Sequence, residues 1–264
     1  MKEYGFKTNL HDGRLNLGIW LTCTDLMVCD IVCHLGYDFV LVDTEHSFMT
    51  IESLRDVLMI ARRSDSFPIV RVGWNDLTLV KQVLDAGAEG IIVPMVCNKE
   101  QAEKAVSYCR YPPQGVRGLG PLGASDFGRR FEEYVAEANN RIFVAVQIEH
   151  IDAVNNLDEI MGVNGIDGVF VGPADLAASL GFINNISHPQ VKENIRNIIE
   201  KASNYGIPVG FPAGGSAEQI KEQMAGLLDG VRFLTVGSDM TFLSSGARKQ
   251  LLDLKVHSRC SLKP

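Results

Sequence analysis

Eight short, apolar, β-branched segments alternate with helical patterns along this chain, and nothing else in it constrains the fold as strongly. The predicted strands are Leu17–Leu21, Phe39–Asp43, Ile69–Val72, Gly90–Val93, Ile142–Ile148, Gly168–Val171, Pro208–Phe211 and Phe233–Val236. Each is nearly all apolar, as a strand covered on both faces must be. Helical segments lie between them, for example Ile51–Arg63, Leu77–Ala86, Lys99–Cys109, Lys192–Tyr205 and Ala217–Leu228. Gly87, Gly206 and Gly226 stand near helix ends, where a left-handed residue is often required. A last helix, Thr241–Leu254, follows the eighth strand. Eight strand-then-helix units in 264 residues predict a (β/α)8 barrel, read as one domain over residues 1–264. A doubly wound sheet is the alternative. It usually carries a glycine-rich fingerprint after the first strand, and Leu21-Thr22-Cys23-Thr24-Asp25 has none.

One segment breaks the rhythm. Arg110–Asn140 is long for a connection and holds a further helical pattern, Arg129–Ala138. It is read as part of a site or of an oligomer interface.

The formal net charge of -7 argues against a nucleic-acid surface, which needs clustered Lys and Arg. No apolar run reaches the roughly 20 residues that span a bilayer. Met1-Lys2-Glu3-Tyr4-Gly5 lacks the apolar core of a signal peptide, so a cytoplasmic protein is expected. Cys23, Cys29, Cys33, Cys97, Cys109 and Cys260 form no CxxC pair. Cys29 and Cys33 are one helical turn apart, which a zinc pair would need, but small core residues of a helix are the better reading.

Strand parity sorts the residues that carry chemistry. Asp43-Thr44-Glu45-His46 follows the second strand directly, at the end where α/β folds build their sites. In Val144–Glu149 the apolar face carries Val144, Val146 and Ile148, so Gln147 and Glu149 are predicted to point into the barrel mouth. Arg71 is predicted to project inward on the third strand, either to meet an anion or to form an ion pair with Asp43 on its neighbour. Asp175, just past the sixth strand, reads as a helix N-cap or as an oxygen ligand converging with Glu149. Two such carboxylates suit Mg²⁺, Mn²⁺ or Co²⁺. Backbone N–H groups at Ala174 and Asp175 would offer a small anion a helix N-terminus. His46 reads as a general base or acid, or as a loop histidine capping the helix that starts near Thr50. Asp43 or Asp85 could orient it, and Asp85 also reads as an exposed acid at a helix end. Glu45 reads as a supporting contact or a surface acid. His11, His188 and His257 look like surface positions, His34 lies in a helical pattern, and His150 follows Glu149 on the opposite face.

These residues and their surroundings resemble the HpcH/HpaI aldolase family of class II, metal-dependent pyruvate aldolases. The matching stretches run from about Gly18 to Gly246. They are Asp43–His46, Val70-Arg71-Val72, Lys81–Ala88, Val93–Val96, Arg110–Gly118, Gln147-Ile148-Glu149 and Gly168–Leu176. The resemblance implies a TIM barrel of the phosphoenolpyruvate/pyruvate-binding type, assembled as a homo-oligomer (hexamer or trimer) through its final helix, about residues 241–255. It assigns Glu149 and Asp175 to a divalent metal, with Gln147 beside it and Arg71 on the bound oxo-acid. It matches His46 to the catalytic histidine, with Asp43 and Asp85 as supporting acids. The implied reaction is reversible cleavage of a 4-hydroxy-2-oxo acid to pyruvate and an aldehyde through a metal-bound enolate. Oxaloacetate decarboxylation through the same enolate, or a non-catalytic oxo-acid-binding barrel, are the alternatives. A Schiff-base route would need a lysine at a strand end, and no predicted strand ends in one. The family often has a small residue, Pro and Asn after the histidine, where this chain has Ser47-Phe48-Met49, and His150 stands where a small hydroxyl residue is frequent.

Overall fold

The computed structural model describes residues 5–224 and 230–257. Helix α1 (Phe6–His11) leads into β1 (Asn16–Leu21), α2 (Leu26–Cys33), β2 (Phe39–Asp43) and α3 (Ile51–Ala61). Then come β3 (Phe67–Arg71), α4 (Leu77–Ala86), β4 (Gly90–Val93), α5 (Lys99–Cys109) and α6 (Phe131–Arg141). The second half holds β5 (Phe143–Ile148), α7 (Ile151–Asn155), α8 (Leu157–Met161), β6 (Gly168–Val171), α9 (Pro173–Ser179) and α10 (Pro189–Asn204). It closes with β7 (Val209–Pro212), α11 (Ala217–Met224), β8 (Val231–Ser238) and α12 (Asp239–His257). The eight strands are parallel and form a closed barrel in chain order, β8 pairing with β1.

The alternation read from the sequence is the one that packs. Val144, Val146 and Ile148 join the layer between strands and helices, while Phe143 and Ala145 face the barrel interior. Interior phenylalanines stand opposite glycines on neighbouring strands: Gly18 pairs with Phe39, Gly90 with Phe143 and Gly210 with Phe233. A Cβ at Gly18 or Gly210 would overlap the ring it faces. Large and small residues thus interlock around the barrel.

The N-terminal ends of the strands are sealed by α1, which the sequence reading did not foresee. Phe6 sits among the rings of Phe39, Phe67, Phe143 and Phe233, with centroids 5.1–6.0 Å away, at tilted to edge-on angles. The opposite end, at the strands' C-termini, is the mouth.

Helix termini follow their local signals. Thr50 caps α3 in a reciprocal pair with Ser53, so His46 is not the cap of this helix. Gly87 ends α4 in the left-handed region. Gly226 and the last residues of the predicted Ala217–Leu228 helix lie outside the described residues, as do Cys260 and the side chain of His257. Cys29 and Cys33 are buried core residues, and the described cysteines form no disulfide.

Helix α12 is long yet touches little besides β8 and β1. Its Phe242, Leu243, Leu251 and Leu252 are exposed, and so are Leu26, Met27 and Ile31 of α2. Among the described residues, no helix is long and apolar enough to cross a membrane.

Candidate active site

Asp43 and Arg71 occupy paired register positions at the ends of β2 and β3. Arg71 donates from Nε to Asp43 Oδ1 at 2.9 Å and from Nη2 to Oδ2 at 2.7 Å. Its Nη1 lies 3.2 Å from Glu45 Oε2, and its guanidinium stacks 4.4 Å above the Trp20 ring. The ion pair read as one alternative is therefore present, and it fixes Arg71 rather than removing it from the mouth. Glu45 proves to be a contact of Arg71. Burial pushes its carboxyl above the ordinary value; the Arg71 charge opposes this and Glu149 reinforces it.

Glu149, just beyond β5, is buried and held from two sides. Met95 N donates to its Oε1 at 2.8 Å and Gln147 Nε2 donates to its Oε2. Met95 has φ +54°, a left-handed backbone rare outside glycine, and this turns its N–H onto the carboxylate. Gly172 makes the space, since a Cβ there would come within 2.6 Å of Glu149 Oε2. Burial pushes the Glu149 carboxyl upward; the two hydrogen bonds oppose this, the Asp175 charge adds to it, and Arg71 lowers it. Glu149 thus senses both Asp175 and Arg71. Gln147 Oε1 is buried with no partner.

Asp175 and Ala174 are exposed in the first turn of α9. The N-cap reading of Asp175 is corrected: Gly172 is the cap residue and Pro173 the first helical one, because proline's fixed φ suits that position. The Asp175 carboxylate is left free of capping duty.

His46 lies in the β2–α3 loop, its side chain 64% exposed, with Nε2 3.8 Å from Glu45 Oε2. The Asp43 carboxylate orders this loop by accepting from Glu45 N at 3.0 Å and His46 N at 3.4 Å. Asp43 therefore supports Arg71 by its side chain and His46 through the backbone.

Asp85 is not brought to this cluster within the chain. It lies at the C-terminal end of α4, which leads to the N-terminal end of β4, the floor side of the barrel. Its carboxylate accepts from Arg117 Nη2 at 2.7 Å. Arg117 is fully buried, 4.5 Å below the Tyr111 ring and bonded to the Tyr134 hydroxyl. The long insert packs here too: Gly123 N and Ala124 N donate to Asp85 O, and Arg62 donates to Gly123 O and Ala124 O. It does not build the mouth of its own barrel. A groove of about 590 Å³ runs between α3, α4 and the insert, lined by Asp85, Arg62, Arg129, Arg130, Leu122 and Phe127.

His150 and His188 cap α7 and α10 through their rings, and His34 bonds Asp30 O one turn back. Trp20, Met95 and Gly172 were not singled out from the sequence. Trp20 had a readable signal, sharing the interior face with Gly18. A left-handed methionine has none.

A family model for HpcH/HpaI aldolase/citrate lyase matches residues 16–244. The chain belongs to this family. It is 41% identical over 249 residues to 2-keto-3-deoxy-L-rhamnonate aldolase of Escherichia coli (strain K12), covering 94% of this chain and 91% of that one. An HpcH/HpaI aldolase/citrate lyase family protein from Burkholderia cenocepacia J2315 superimposes with a TM-score of 0.88 at 32% identity, over 94% of this chain and 98% of the other. The citrate synthase SbnG superimposes with a TM-score of 0.84 at 31% identity, over 96% and 98% of the two chains. This HpcH/HpaI member is a carbon–carbon lyase, with the family's aldolase and lyase chemistry on small oxo-acids.

Proposed function

We propose that the chain reversibly cleaves a 4-hydroxy-2-oxo acid to pyruvate and an aldehyde with the help of a divalent metal. The observation that carries this reading is the buried Glu149 carboxylate, bonded by Gln147 and Met95 N, with the fixed Arg71 guanidinium and the Asp175 carboxylate near enough to act on its charge. The donors fit a hard cation. Glu149 and Asp175 repel each other, Gln147 Oε1 lacks a partner, and Gly172 offers no side chain to fill the space. Among the described residues no group of three or more His, Cys, Asp or Glu converges, so water and substrate oxygens would supply the remaining ligands of Mg²⁺, Mn²⁺ or Co²⁺. When bound, the cation supplies Lewis acidity toward the oxo-acid.

The protein's own groups do the rest. Arg71, locked by Asp43, donates to the oxygen on which charge grows as the C3–C4 bond breaks. His46 removes the C4 hydroxyl proton. The bonding pair stays with the three-carbon fragment, which leaves as pyruvate after taking a proton at C3, and the aldehyde departs. Oxaloacetate decarboxylation would use the same groups.

Asp85 keeps a supporting role toward His46 only if another copy brings it there, since its own barrel holds it at the floor side. The exposed apolar faces of α12 and α2 favour such a homo-oligomer, and described cysteines that form no disulfide suit a reducing, cytoplasmic compartment.

The test is exchange of the pyruvate methyl protons in deuterated water, with metal-stripped protein and then with added Mg²⁺, Mn²⁺ or Co²⁺. Metal-dependent exchange supports the reading. Absence of exchange with every one of these metals, in folded protein, overturns it.

A further inference from the structure

We infer that the aldehyde handled at this mouth is uncharged, in contrast to one that carries its own carboxylate; this rests on the pyruvate-forming reading above. Seven segments join a strand's C-terminal end to the next helix: residues 22–25, 44–50, 72–76, 94–98, 149–150, 172 and 213–216. None contains a Lys or an Arg. They do contain Asp25, Glu45, Asp76 and Glu149. Lys99, the first residue of α5, follows one of them, but it is exposed and lies 3.8 Å from Glu103 one turn along its own helix. Among the described residues, Arg71 at the end of β3 is thus the Lys or Arg that these strand ends and loops bring to the mouth.

Its charge is already engaged, in two bonds to Asp43 and an ion pair with Glu45. The substrate's own 2-oxo acid end would take its remaining reach. A second carboxylate, at the acceptor end, would find no Lys or Arg of these loops to pair with, while Glu45 adds negative charge beside Arg71. An unpaired anion entering a partly desolvated acidic site is strongly disfavoured. The loops supply apolar surface in place of charge. Phe48, two residues past His46, is 97% exposed, and Trp74 in the β3–α4 loop is 57% exposed. Ser47 bonds Asp43 O, and Met49 N donates to Ser47 Oγ at 3.1 Å, so the backbone on both sides of Phe48 is fixed. An uncharged aldehyde with an alkyl or hydroxyalkyl chain suits strand-end loops that carry exposed aromatic side chains and no Lys or Arg.

The experiment compares butyraldehyde with succinic semialdehyde, two acceptors of equal chain length that differ in a terminal methyl or carboxylate. Both are offered with pyruvate to the metal-loaded enzyme at low and high salt. The expected result is a kcat/KM at least tenfold higher for butyraldehyde, with the succinic semialdehyde rate rising as salt screens the acidic mouth. Phe48→Lys should narrow the ratio several-fold by raising the anionic acceptor. Equal use, or a succinic semialdehyde rate that is higher and falls with salt, overturns the inference. Methyl-proton exchange of pyruvate without aldehyde is run alongside. Exchange with no preference for the neutral acceptor sinks this inference alone; no exchange sinks the underlying reaction and this inference with it.

Discussion

Arg71 and Asp43 are register partners on adjacent strands, and their planar groups meet in two parallel hydrogen bonds of 2.9 and 2.7 Å at the barrel mouth. The same carboxylate accepts from the backbone of the loop that carries His46. One aspartate thereby sets both the cation and the imidazole of the site.

Lysine at position 71 keeps a charge but loses the fork and the stack on Trp20. Arg71→Lys should lower kcat by about 10²–10³-fold, with a far smaller change in metal affinity. Steady-state kinetics beside a metal titration checks this. A kcat within tenfold of the parent would remove Arg71 from the charge-stabilising role.

Glu149→Gln retains an oxygen to accept the Met95 N–H but loses the negative charge. Metal-dependent pyruvate exchange should fall to the metal-free background. Because burial disfavours the ionised carboxyl, the Tm of the metal-free variant should match or exceed that of the parent. A variant that still binds Mn²⁺ with parental affinity would reassign the ligand.

Met95 acts through its backbone. Met95→Gly should hold metal affinity within about threefold, since glycine accepts φ +54° without strain. Met95→Val should weaken it by about 10–100-fold, the range for losing an outer hydrogen bond, because a β-branched residue resists that region. Calorimetric metal titration separates the two, and equal affinities would mean the Met95 N–H is dispensable.

Phe6→Ala should cost about 3–5 kcal/mol in urea unfolding, the usual range for emptying a buried aromatic site. The kcat of the protein that remains folded should be little changed, since the mouth is at the other end. A loss below about 1 kcal/mol, well short of that range, would mean α1 does not close the barrel in solution.

Burial pushes the Cys29 and Cys109 thiols up from 9.0 to about 12. Both should resist iodoacetamide at pH 8 in native protein and react once it is unfolded, read by peptide mapping. The unfolded chain releases these protons first as pH rises through 9, so the folded state binds more of them and stability falls from pH 9 toward 12. Cys29→Ala should flatten part of that slope. Rapid native labelling of Cys29 would contradict its burial.

The barrel was legible because a strand covered on both faces leaves a nearly continuous apolar run, and eight such runs alternate with helical patterns. Parity then placed Gln147, Glu149 and Arg71, because a two-residue period admits only two faces. Two kinds of fact stayed hidden. Asp85 sits beside a readable motif, but its partner Arg117 comes from the long insert, whose course over the floor side neither periodicity nor parity reveals. The bond from Met95 to Glu149 depends on a backbone angle that methionine does not advertise. Helix α1 is too short for periodicity to reveal, and its anchoring comes from one phenylalanine among four others.

Phe6 closes the far end of the barrel, so every molecule that enters the mouth must leave by it. In the proposed reaction Arg71, beside a cation that Glu149 and Asp175 would hold, keeps the oxo-acid fragment while its partner is still free to move. That reaction predicts ordered release, the aldehyde first and pyruvate last. Pyruvate should therefore compete with the oxo-acid for free enzyme, whereas the aldehyde should add only to the pyruvate-bound form.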